Sequence, residues 1–367
     1  TCLGMMSGTS GDGVDASIIR SNGLNKVKIL KEKYYEYTDE LFKEFHDLKK
    51  RVNTLKDLKN LSDVIKKLEK NITVFHAKVA KEISNEIDID LIGFHGQTLY
   101  HNPIEKISLQ LGNGNLLSQL TKKKIVFNFR KNDIINGGEG APLTPIFHKY
   151  LINSKDITLP AGILNIGGIS NLTFVHNMYE NQITSKDVGP GNCLINKWIQ
   201  AHTSKKFDDE GKISDSGKIN EIILEQALET HENNFQRKDN ISLDTNDFDI
   251  SFARGLNIED GTATLTAFSA KIISSKINYL LKDHDKKIKI IVCGGGRKNK
   301  SLMRQIKQNS NKNLTFFYSE DFNLNGDFIE SQAFAYLAIR SVLSLPISFP
   351  STTGCSAPCS GGEIVNF

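Results

Sequence analysis

The chain has 367 residues, of which 39% are hydrophobic and 24% charged, a length that favours two domains and a composition typical of globular proteins. Lys and Arg number 46 against 42 Asp and Glu, without an Arg-rich stripe interleaved with aromatic residues, so we expect no nucleic-acid partner. No apolar run approaches the ~20 residues of a membrane span, and no basic segment leads into an apolar one at the start. We therefore expect a cytoplasmic protein without a membrane partner.

The cysteines are scattered and odd in number: Cys2, Cys193, Cys293, Cys355 and Cys359. None belongs to a paired C-x-x-C pattern with neighbouring histidines, which disfavours both a zinc site and a disulfide framework. The last two lie in a tail rich in Ser, Pro and Gly. In a reducing cytosol we expect no functional role for them.

A glycine-rich stretch at residues 4–16 stands out first along the chain. The apolar run Cys2–Met6 and the alternating run Val14–Ile19 predict two strands of a hairpin around it. Glycines at its tip let backbone N–H groups converge on an anion, and Asp12 is placed to hold Mg²⁺, directly or through water. An ordinary glycine turn is the alternative. The predicted phosphate-binding residues are Gly8, Thr9, Ser10, Gly11, Asp12, Gly13, Val14 and Asp15.

The rest of the first half predicts a three-strand meander followed by alternating helix and strand. A third strand is predicted at Lys26–Tyr37, and apolar residues recur at helical spacing through residues 41–86. The later predicted strands are Ile89–Phe94, Ile107–Leu111 and Lys124–Phe129, with a short helix before the last.

After the turn residues Asn136–Pro142, the same order begins again. An apolar run at Ala161–Ile166, a Gly167-Gly168 tip and a strand at Leu172–His176 repeat the hairpin. The remaining predicted elements are a helix at 144–151, a strand at 182–186 leading to Asp187, a helix through Trp198, a helix at 261–281, a strand at 288–292, a glycine turn at 294–296, a helix at 299–309, a strand at 314–318 and a helix at 327–343.

Repetition of the glycine-tipped hairpin predicts a nucleotide held in a cleft between two similar halves, with a tip on either side of its phosphates. The strand-glycine-helix turn at 294–296 lets an adenosine lie close to the backbone. Neither G-x-x-x-x-G-K-[ST] nor G-x-G-x-x-G occurs, which disfavours a P-loop or a dinucleotide fold. The predicted nucleotide-binding residues of this half are Gly167, Gly168, Asn171, Gly294, Gly295, Gly296 and Asn299.

Several blocks, in one order over almost the whole chain, resemble the anhydro-N-acetylmuramic acid kinases, members of the actin, hexokinase and Hsp70 ATPase superfold. Two departures are Gly11, where the family usually has a larger apolar residue, and Asn128, where an Asp often precedes Phe-Arg. The matching blocks are residues 4–10, 93–98, 129–130, 137–142, 164–171, 187–192, 294–297 and 333–335.

The resemblance implies an α/β protein in which two ribonuclease-H-like domains flank an ATP and substrate cleft. We expect one domain at 1–133, joined by 341–367, and another at 134–340. The implied reaction uses ATP and Mg²⁺ to phosphorylate O6 of 1,6-anhydro-N-acetylmuramic acid while water opens the anhydro bridge at C1. The resemblance implies a role in peptidoglycan recycling and amino sugar catabolism. It also implies that the enzyme is a homodimer.

Under this resemblance, Asp187 is the candidate base, since a helix N-terminus beside it favours an ionised carboxylate. Its alternative is a simple N-cap aspartate. His95, Gln97 and Arg130 lie at ends of predicted parallel strands, where α/β sheets place ligands, and are candidate sugar contacts; a structural role is the alternative. Glu330 is a second catalytic candidate, which would assist with the metal or the sugar. Its alternative is a structural role as a first-turn glutamate that interacts favourably with the helix dipole. Weaker candidates are Asn192 and Thr264–Thr266.

Three other classes of function are the alternatives. An acetate-type or N-acetylhexosamine kinase of the same superfold keeps the hairpins and changes the sugar-facing residues. An actin-like or Hsp70-like protein uses ATP to switch a binding surface, but a chaperone needs a further substrate domain, and only about 25 residues follow the last predicted helix, far fewer than a domain. An inactive binding module is disfavoured by the presence of Asp187 and both glycine turns.

Overall fold

A computed structural model describes residues 1–179, 182–235 and 242–367 of the chain. Its strands, numbered in chain order, are β1 (Cys2–Ser7), β2 (Gly13–Ser21), β3 (Val27–Glu36), β4 (Leu91–Asn102), β5 (Ile107–Leu111), β6 (Lys124–Phe127), β7 (Ala161–Ile166), β8 (Ile169–Val175), β9 (Ile183–Pro190), β10 (Ile288–Cys293), β11 (Leu314–Tyr318) and β12 (Glu363–Val365).

Its α-helices are α1 (Asp39–Arg51), α2 (Leu55–Asn60), α3 (Ser62–Ile83), α4 (Gly114–Thr121), α5 (Lys131–Ile135), α6 (Pro145–Ser154), α7 (Cys193–His202), α8 (Lys212–Ser216), α9 (Glu221–Phe235), α10 (Ile258–Leu280), α11 (Lys300–Asn309), α12 (Ile329–Val342) and α13 (Pro350–Thr353). None of the helices in the described residues is both long and apolar enough to cross a membrane.

The strands form two sheets with the same core order. The first runs β12-β6-β4-β1-β2-β3, with β5 paired to β4, and the second runs β11-β10-β7-β8-β9. In each, the first two strands are an antiparallel hairpin and the fourth pairs parallel to the first. This repeated order is that of the ribonuclease-H-like fold, so the predicted mixed α/β class with two such sheets is confirmed.

The contacts between Cα atoms divide the chain into two compact units. The first comprises Thr1–Asp156, Met178–Ile183 and Asp327–Phe367, and the second comprises Ile157–Asn177 and Thr184–Gly326. These bounds differ from the predicted ones at 133/134 and 340/341. The reason is that α12 packs on β1, β2 and β4, and α6 packs on α12, so both helices lie with the first sheet.

Two glycines allow α12 to lie directly against the first sheet. A Cβ on Gly4 of β1 would stand 1.9 Å from the carbonyl oxygen of Ser331, and one on Gly93 of β4 would stand 2.4 Å from that of Phe334. Only a residue without a side chain permits such a close approach of helix and strand backbones. The buried face of α12 is correspondingly rich in alanine, including Ala333 and Ala335.

Each unit has its own core. In the first unit, apolar side chains of β1, β2 and β4 pack with α1 and α3, for example Phe45, Ile72 and Phe94. In the second unit, β7, β8 and β10 pack with α10 and α11, and a further cluster around Trp198 joins α7 to α10. The predicted helical stretch at 41–86 is three helices, α1 to α3, because the chain is non-helical at residues 52–54 and at Leu61.

Candidate active site

The tip between β1 and β2 is a closed turn. The N–H of Gly11 donates to the carbonyl of Gly8 at 3.1 Å, and the Ser10 hydroxyl donates to Asp12 Oδ1 at 2.6 Å. Thr9 and Ser10 are exposed, which leaves the hydroxyls of the tip accessible to a ligand. The predicted residues Gly13, Val14 and Asp15 lie instead in β2 and pair with Tyr34–Glu36 of β3.

Side chains from other elements hold this tip by its carbonyl groups. Gln97 Nε2 donates to Gly8 O at 2.9 Å, and His46 Nε2 lies 3.0 Å from Ser10 O, to which its N–H donates. Gln97 is fully buried, so its amide is committed to the hairpin, and its predicted role as a sugar contact stays a prediction.

A buried polar network lies behind Gln97. The hydroxyl of Ser7 is 2.9 Å from Tyr37 Oη and 3.1 Å from His76 Nε2, and Tyr37 Oη reaches Gln97 Oε1 at 3.4 Å. His76 Nδ1–H donates to Ile72 O at 2.8 Å, so Nε2 accepts from Ser7. Burial lowers the pKa of His76 to about 4, and the imidazole is neutral at pH 7.

Gly11, which departs from the pattern of the resembled family, packs directly against the ring of Phe45. Gly11 has φ +60°, and a Cβ there would stand 2.3 Å from the ring of Phe45. Phe45 on α1 thus occupies the space in which a larger side chain at position 11 would lie. In this chain the apolar contact beneath the tip comes from α1.

Arg130 and His95 form a hydrogen-bonded pair in the first unit. Arg130 Nη2 donates to His95 Nε2 at 2.8 Å, and His95 Nδ1–H donates to Gly96 O at 2.8 Å. Burial, together with the Arg130 guanidinium, lowers the pKa of His95 well below its usual value, so the imidazole stays neutral.

Glu330 lies in the first turn of α12, as predicted. Burial raises the pKa of its carboxyl, and attraction from the Arg130 guanidinium offsets this only in part. The Arg130 guanidinium therefore acts electrostatically on both His95 and Glu330.

The tip between β7 and β8 is bonded to the start of α7. The N–H groups of Gly191 and Asn192 donate to the carbonyls of Gly168 and Gly167, at 2.9 and 2.8 Å. A Cβ on Gly191 would stand 2.2 Å from Gly167 O, so glycine is required for this close approach. The N–H groups of Gly191 and Asn192, which precede α7, are thus bonded to the hairpin and are not available to Asp187.

Asp187 lies within β9, which continues to Pro190. Its carboxylate accepts a hydrogen bond from the N–H of Leu243 at 2.8 Å and from the Ser242 hydroxyl at 3.2 Å. The alternative of a simple N-cap aspartate is excluded, because α7 begins at Cys193 and its N-cap is Asn192. Donors from the segment before the 3₁₀ turn at Thr245–Asp247 hold this carboxylate. No pattern in the sequence predicts this contact.

The glycine turn after β10 packs tightly on β7. A Cβ on Gly294 would stand 2.4 Å from Asn165 Oδ1, and one on Gly296 would stand 2.2 Å from Ile166 Cγ2, whereas Gly295 has open space around it. Arg297 fixes the turn, with Nη1 donating to Gly294 O at 2.9 Å and Nε donating to Glu320 at 2.9 Å.

The other predicted residues of the second unit have mixed surroundings. Asn299 is the N-cap of α11, its side chain accepting from the N–H of Leu302 at 2.9 Å. Asn171 Oδ1 is buried without a hydrogen-bond partner among the described residues. The Thr264 hydroxyl donates to Asp260 O at 2.7 Å and accepts from Asn220 N–H at 3.0 Å, within the unit.

The donor set for a divalent cation is small. No group of three or more His, Cys, Asp or Glu side chains in residues 1–179, 182–235 and 242–367 could hold a metal ion. Asp12, half-buried at the first tip, is a single carboxylate beside exposed hydroxyls. That arrangement fits Mg²⁺, which proteins often bind through one carboxylate, waters and substrate phosphates.

Two sheets of one order, each with a glycine-tipped hairpin at its first strand, define an α/β protein with two ribonuclease-H-like sheets. The profile of the family "Anhydro-N-acetylmuramic acid kinase" matches residues 1–366. The anhydro-N-acetylmuramic acid kinase of Pelagibacter ubique is 51% identical over 368 residues, covering 100% of this chain and 98% of that protein. The namesake enzymes of Zymomonas mobilis and Brucella canis are 37% and 35% identical, covering 99% and 98% of this chain and 98% and 97% of those proteins. This chain belongs to the anhydro-N-acetylmuramic acid kinase family and is a kinase that uses ATP.

Proposed function

We propose that this kinase transfers the γ-phosphoryl group of ATP to O6 of 1,6-anhydro-N-acetylmuramic acid while water opens the anhydro bridge. The water oxygen bonds to C1 and the C1–O6 bond breaks. O6 bonds to the γ-phosphorus, and ADP leaves with the electrons of the broken P–O bond. The products are N-acetylmuramic acid 6-phosphate and ADP. The proposed setting is peptidoglycan recycling, which supplies the amino sugar.

The observation that carries this proposal is the family match over residues 1–366, with a relative at 51% identity named for this activity. A match over the full length of both chains leaves no unmatched segment of domain size in which the relatives' activity could reside. Local geometry in each unit supports it.

Asp187 is the proposed base. One proton of the attacking water passes to its carboxylate, and the other stays on the new C1 hydroxyl. The hydrogen bonds from Leu243 N–H and Ser242 support this role, because they favour the ionised form and orient the carboxylate.

Arg130, His95 and Glu330 are the proposed sugar-binding group. A guanidinium matches the lactyl carboxylate of the sugar in charge and in its paired donors. Glu330, whose pKa is raised by burial, suits a contact with a sugar hydroxyl better than one with a metal ion. The neutral His95 orients Arg130 and is placed to bond a hydroxyl or the acetamido group. Gln97 is proposed to serve the same sugar site from behind the first hairpin.

The two hairpins are the proposed phosphate ligands, and the turn Gly294–Gly296 is the proposed adenosine surface. The open space around Gly295 supports close approach of a ring to the backbone. Asp12 is proposed to hold Mg²⁺ directly or through water; when bound, the ion neutralises developing phosphate charge. A cytoplasmic homodimer is the proposed state of the enzyme.

The test is an assay of ADP release with 1,6-anhydro-N-acetylmuramic acid, run in parallel with N-acetylmuramic acid and N-acetylglucosamine. Of the three sugars, we expect only the anhydro sugar to be turned over, and its product to have the mass of N-acetylmuramic acid 6-phosphate. Turnover with either open sugar instead indicates an ordinary sugar kinase of the superfold. ATP hydrolysis without any phosphorylated sugar indicates an ATP-driven binding protein.

A further inference from the structure

Arg130 is aimed by two acceptors in the first unit. Its Nη2 donates to His95, and its Nη1 donates to the carbonyl of Gly140 at 2.8 Å. Arg130 stands at the N-cap of the short helix α5 and makes no side-chain capping bond there. The placement of Gly140 therefore sets the direction of one edge of the guanidinium.

Gly140 is itself held by a buried carboxylate. Its N–H donates to Asp133 Oδ2 at 2.7 Å, and Asp133 is only 1% exposed. Gly140 has φ +75°, a conformation that favours glycine. A Cβ on Gly138 would stand 2.2 Å from the Asp133 carboxylate, so the loop closes over this carboxylate only because position 138 lacks a side chain.

The other oxygen of Asp133 is bound by a residue from the end of the chain. Thr353, the last residue of α13, donates from Oγ1 to Asp133 Oδ1 at 2.6 Å. The carbonyl of the same threonine accepts from the N–H of Glu139 at 2.8 Å. Thr353 thus fixes the carboxylate and the neighbouring loop residue together, which leaves the peptide at Gly140 little freedom to move.

We infer that Asp133 and Thr353 are positioning residues for Arg130. They act through Gly140, whose N–H bonds to Asp133 and whose carbonyl receives Arg130 Nη1. The inference rests on the proposed function, in which Arg130 binds the carboxylate of the anhydro sugar. A bidentate contact is sensitive to the direction of the guanidinium, so loosening this chain of bonds weakens sugar binding while the nucleotide contacts stay intact.

The test compares Thr353→Val with Thr353→Ser. Valine keeps the shape and removes the donor, and we expect the KM for 1,6-anhydro-N-acetylmuramic acid to rise about tenfold, the effect of losing one hydrogen bond to a charged group. We expect the KM for ATP of the same variant to stay within about twofold of the wild-type value, because no hydrogen bond to the nucleotide site is lost. Serine restores the hydroxyl and returns the KM for the sugar to the wild-type value.

The matched control is Thr352→Val. Thr352 is also buried, and its hydroxyl bonds only to the backbone of Phe349 among the described residues. This variant perturbs α13 without touching Asp133, so its KM for the sugar stays at the wild-type value. An unchanged KM for the sugar in Thr353→Val overturns the inference. Equal rises for sugar and ATP, or an effect matched by Thr352→Val, also overturn it, since they indicate general destabilisation.

A second readout does not depend on the substrate. The ¹⁵N shift of His95 Nε2 reports the hydrogen bond from Arg130, and we expect it to move in Thr353→Val and to recover in Thr353→Ser. If wild-type enzyme does not turn over the sugar, the proposed function fails, but this shift still decides the positioning role. If Thr353→Val does not fold, Thr353→Cys, with a weaker thiol donor, is expected to give an intermediate KM and shift, and wild-type values for it overturn the inference.

Discussion

The Oδ2 atom of Asp187 accepts a hydrogen bond from the backbone N–H of Leu243, 56 positions later in the chain, at 2.8 Å. A main-chain donor holds the carboxylate in place whether or not it is charged. The ionised form gains more from this bond than the neutral form. A substitution that keeps an acceptor oxygen can therefore remove the proposed base without moving the segment at 242–243.

We expect Asp187→Asn to reduce kcat by about 10²–10⁴, the usual contribution of a general base. The amide oxygen still accepts from Leu243, so folding and ATP binding stay close to wild type. Steady-state kinetics with the anhydro sugar and calorimetric ATP binding check both parts. A variant with normal turnover removes Asp187 from the mechanism.

Gln97→Leu separates two roles of one residue. Because Gln97 Nε2 donates to Gly8 O, leucine leaves that carbonyl without this donor, and we expect the KM for ATP to rise about tenfold. The matched control is Gln110→Leu, another buried glutamine of the first sheet, which bonds to Thr98 and Ser108 instead. The proposed sugar contact predicts that the KM for the sugar rises as well; a rise in the KM for ATP alone removes Gln97 from the sugar site.

Gly11→Leu tests whether Phe45 of α1 occupies the space that a larger side chain at position 11 would need. The new side chain meets the Phe45 ring and must adopt φ +60°, so we expect a loss of about 2–4 kcal/mol in stability. The double variant with Phe45→Ala removes the clash but keeps the backbone strain. Thermal unfolding of both variants and of Phe45→Ala alone measures the coupling; simple additivity of the two losses contradicts a direct contact.

Asn128→Asp tests the second departure from the family. Asn128 Nδ2 donates to Glu363 Oε2 at 3.2 Å, and the bond from Lys131, with a smaller part from Asn128, lowers the pKa of Glu363. Aspartate there faces a like charge, and we expect a stability loss of about 0.5–1 kcal/mol that shrinks in high salt. Adding Glu363→Gln removes the repulsion. A loss that persists in the double variant points to the backbone, since Asn128 has φ 52°.

Acid sensitivity follows from the buried His76. Its pKa is lowered by burial to about 4 in the folded state, from 6.5. A group with a depressed folded pKa contributes stability above its unfolded pKa and loses it as pH falls from 6.5 to about 4. We expect His76 alone to account for roughly 3 kcal/mol of the loss. Urea unfolding from pH 7 to 4 measures it, and His76→Gln flattens the profile; an unaltered slope contradicts the assignment.

Local patterns determined much of this protein from sequence. Apolar runs on either side of glycines specified both hairpins, and the repetition of elements specified two sheets of one order. The motif blocks around Gly4–Ser10 and Asp187–Asn192 identified the family. These features depend on neighbours within a few residues, where backbone preference and periodicity decide the structure.

Tertiary structure alone decided how the candidate side chains are held. The bond of Asp187 to Leu243, of Gln97 to Gly8, and of Asp133 to Thr353 joins residues 56, 89 and 220 positions apart. No spacing in the chain specifies such pairs, because they arise when packed elements bring distant backbone and side-chain groups together. For the same reason the sequence pattern predicts α12 as part of the second half, whereas in the fold its alanines fit β1 and β4 through Gly4 and Gly93, a complementarity that exists only after the chain has folded.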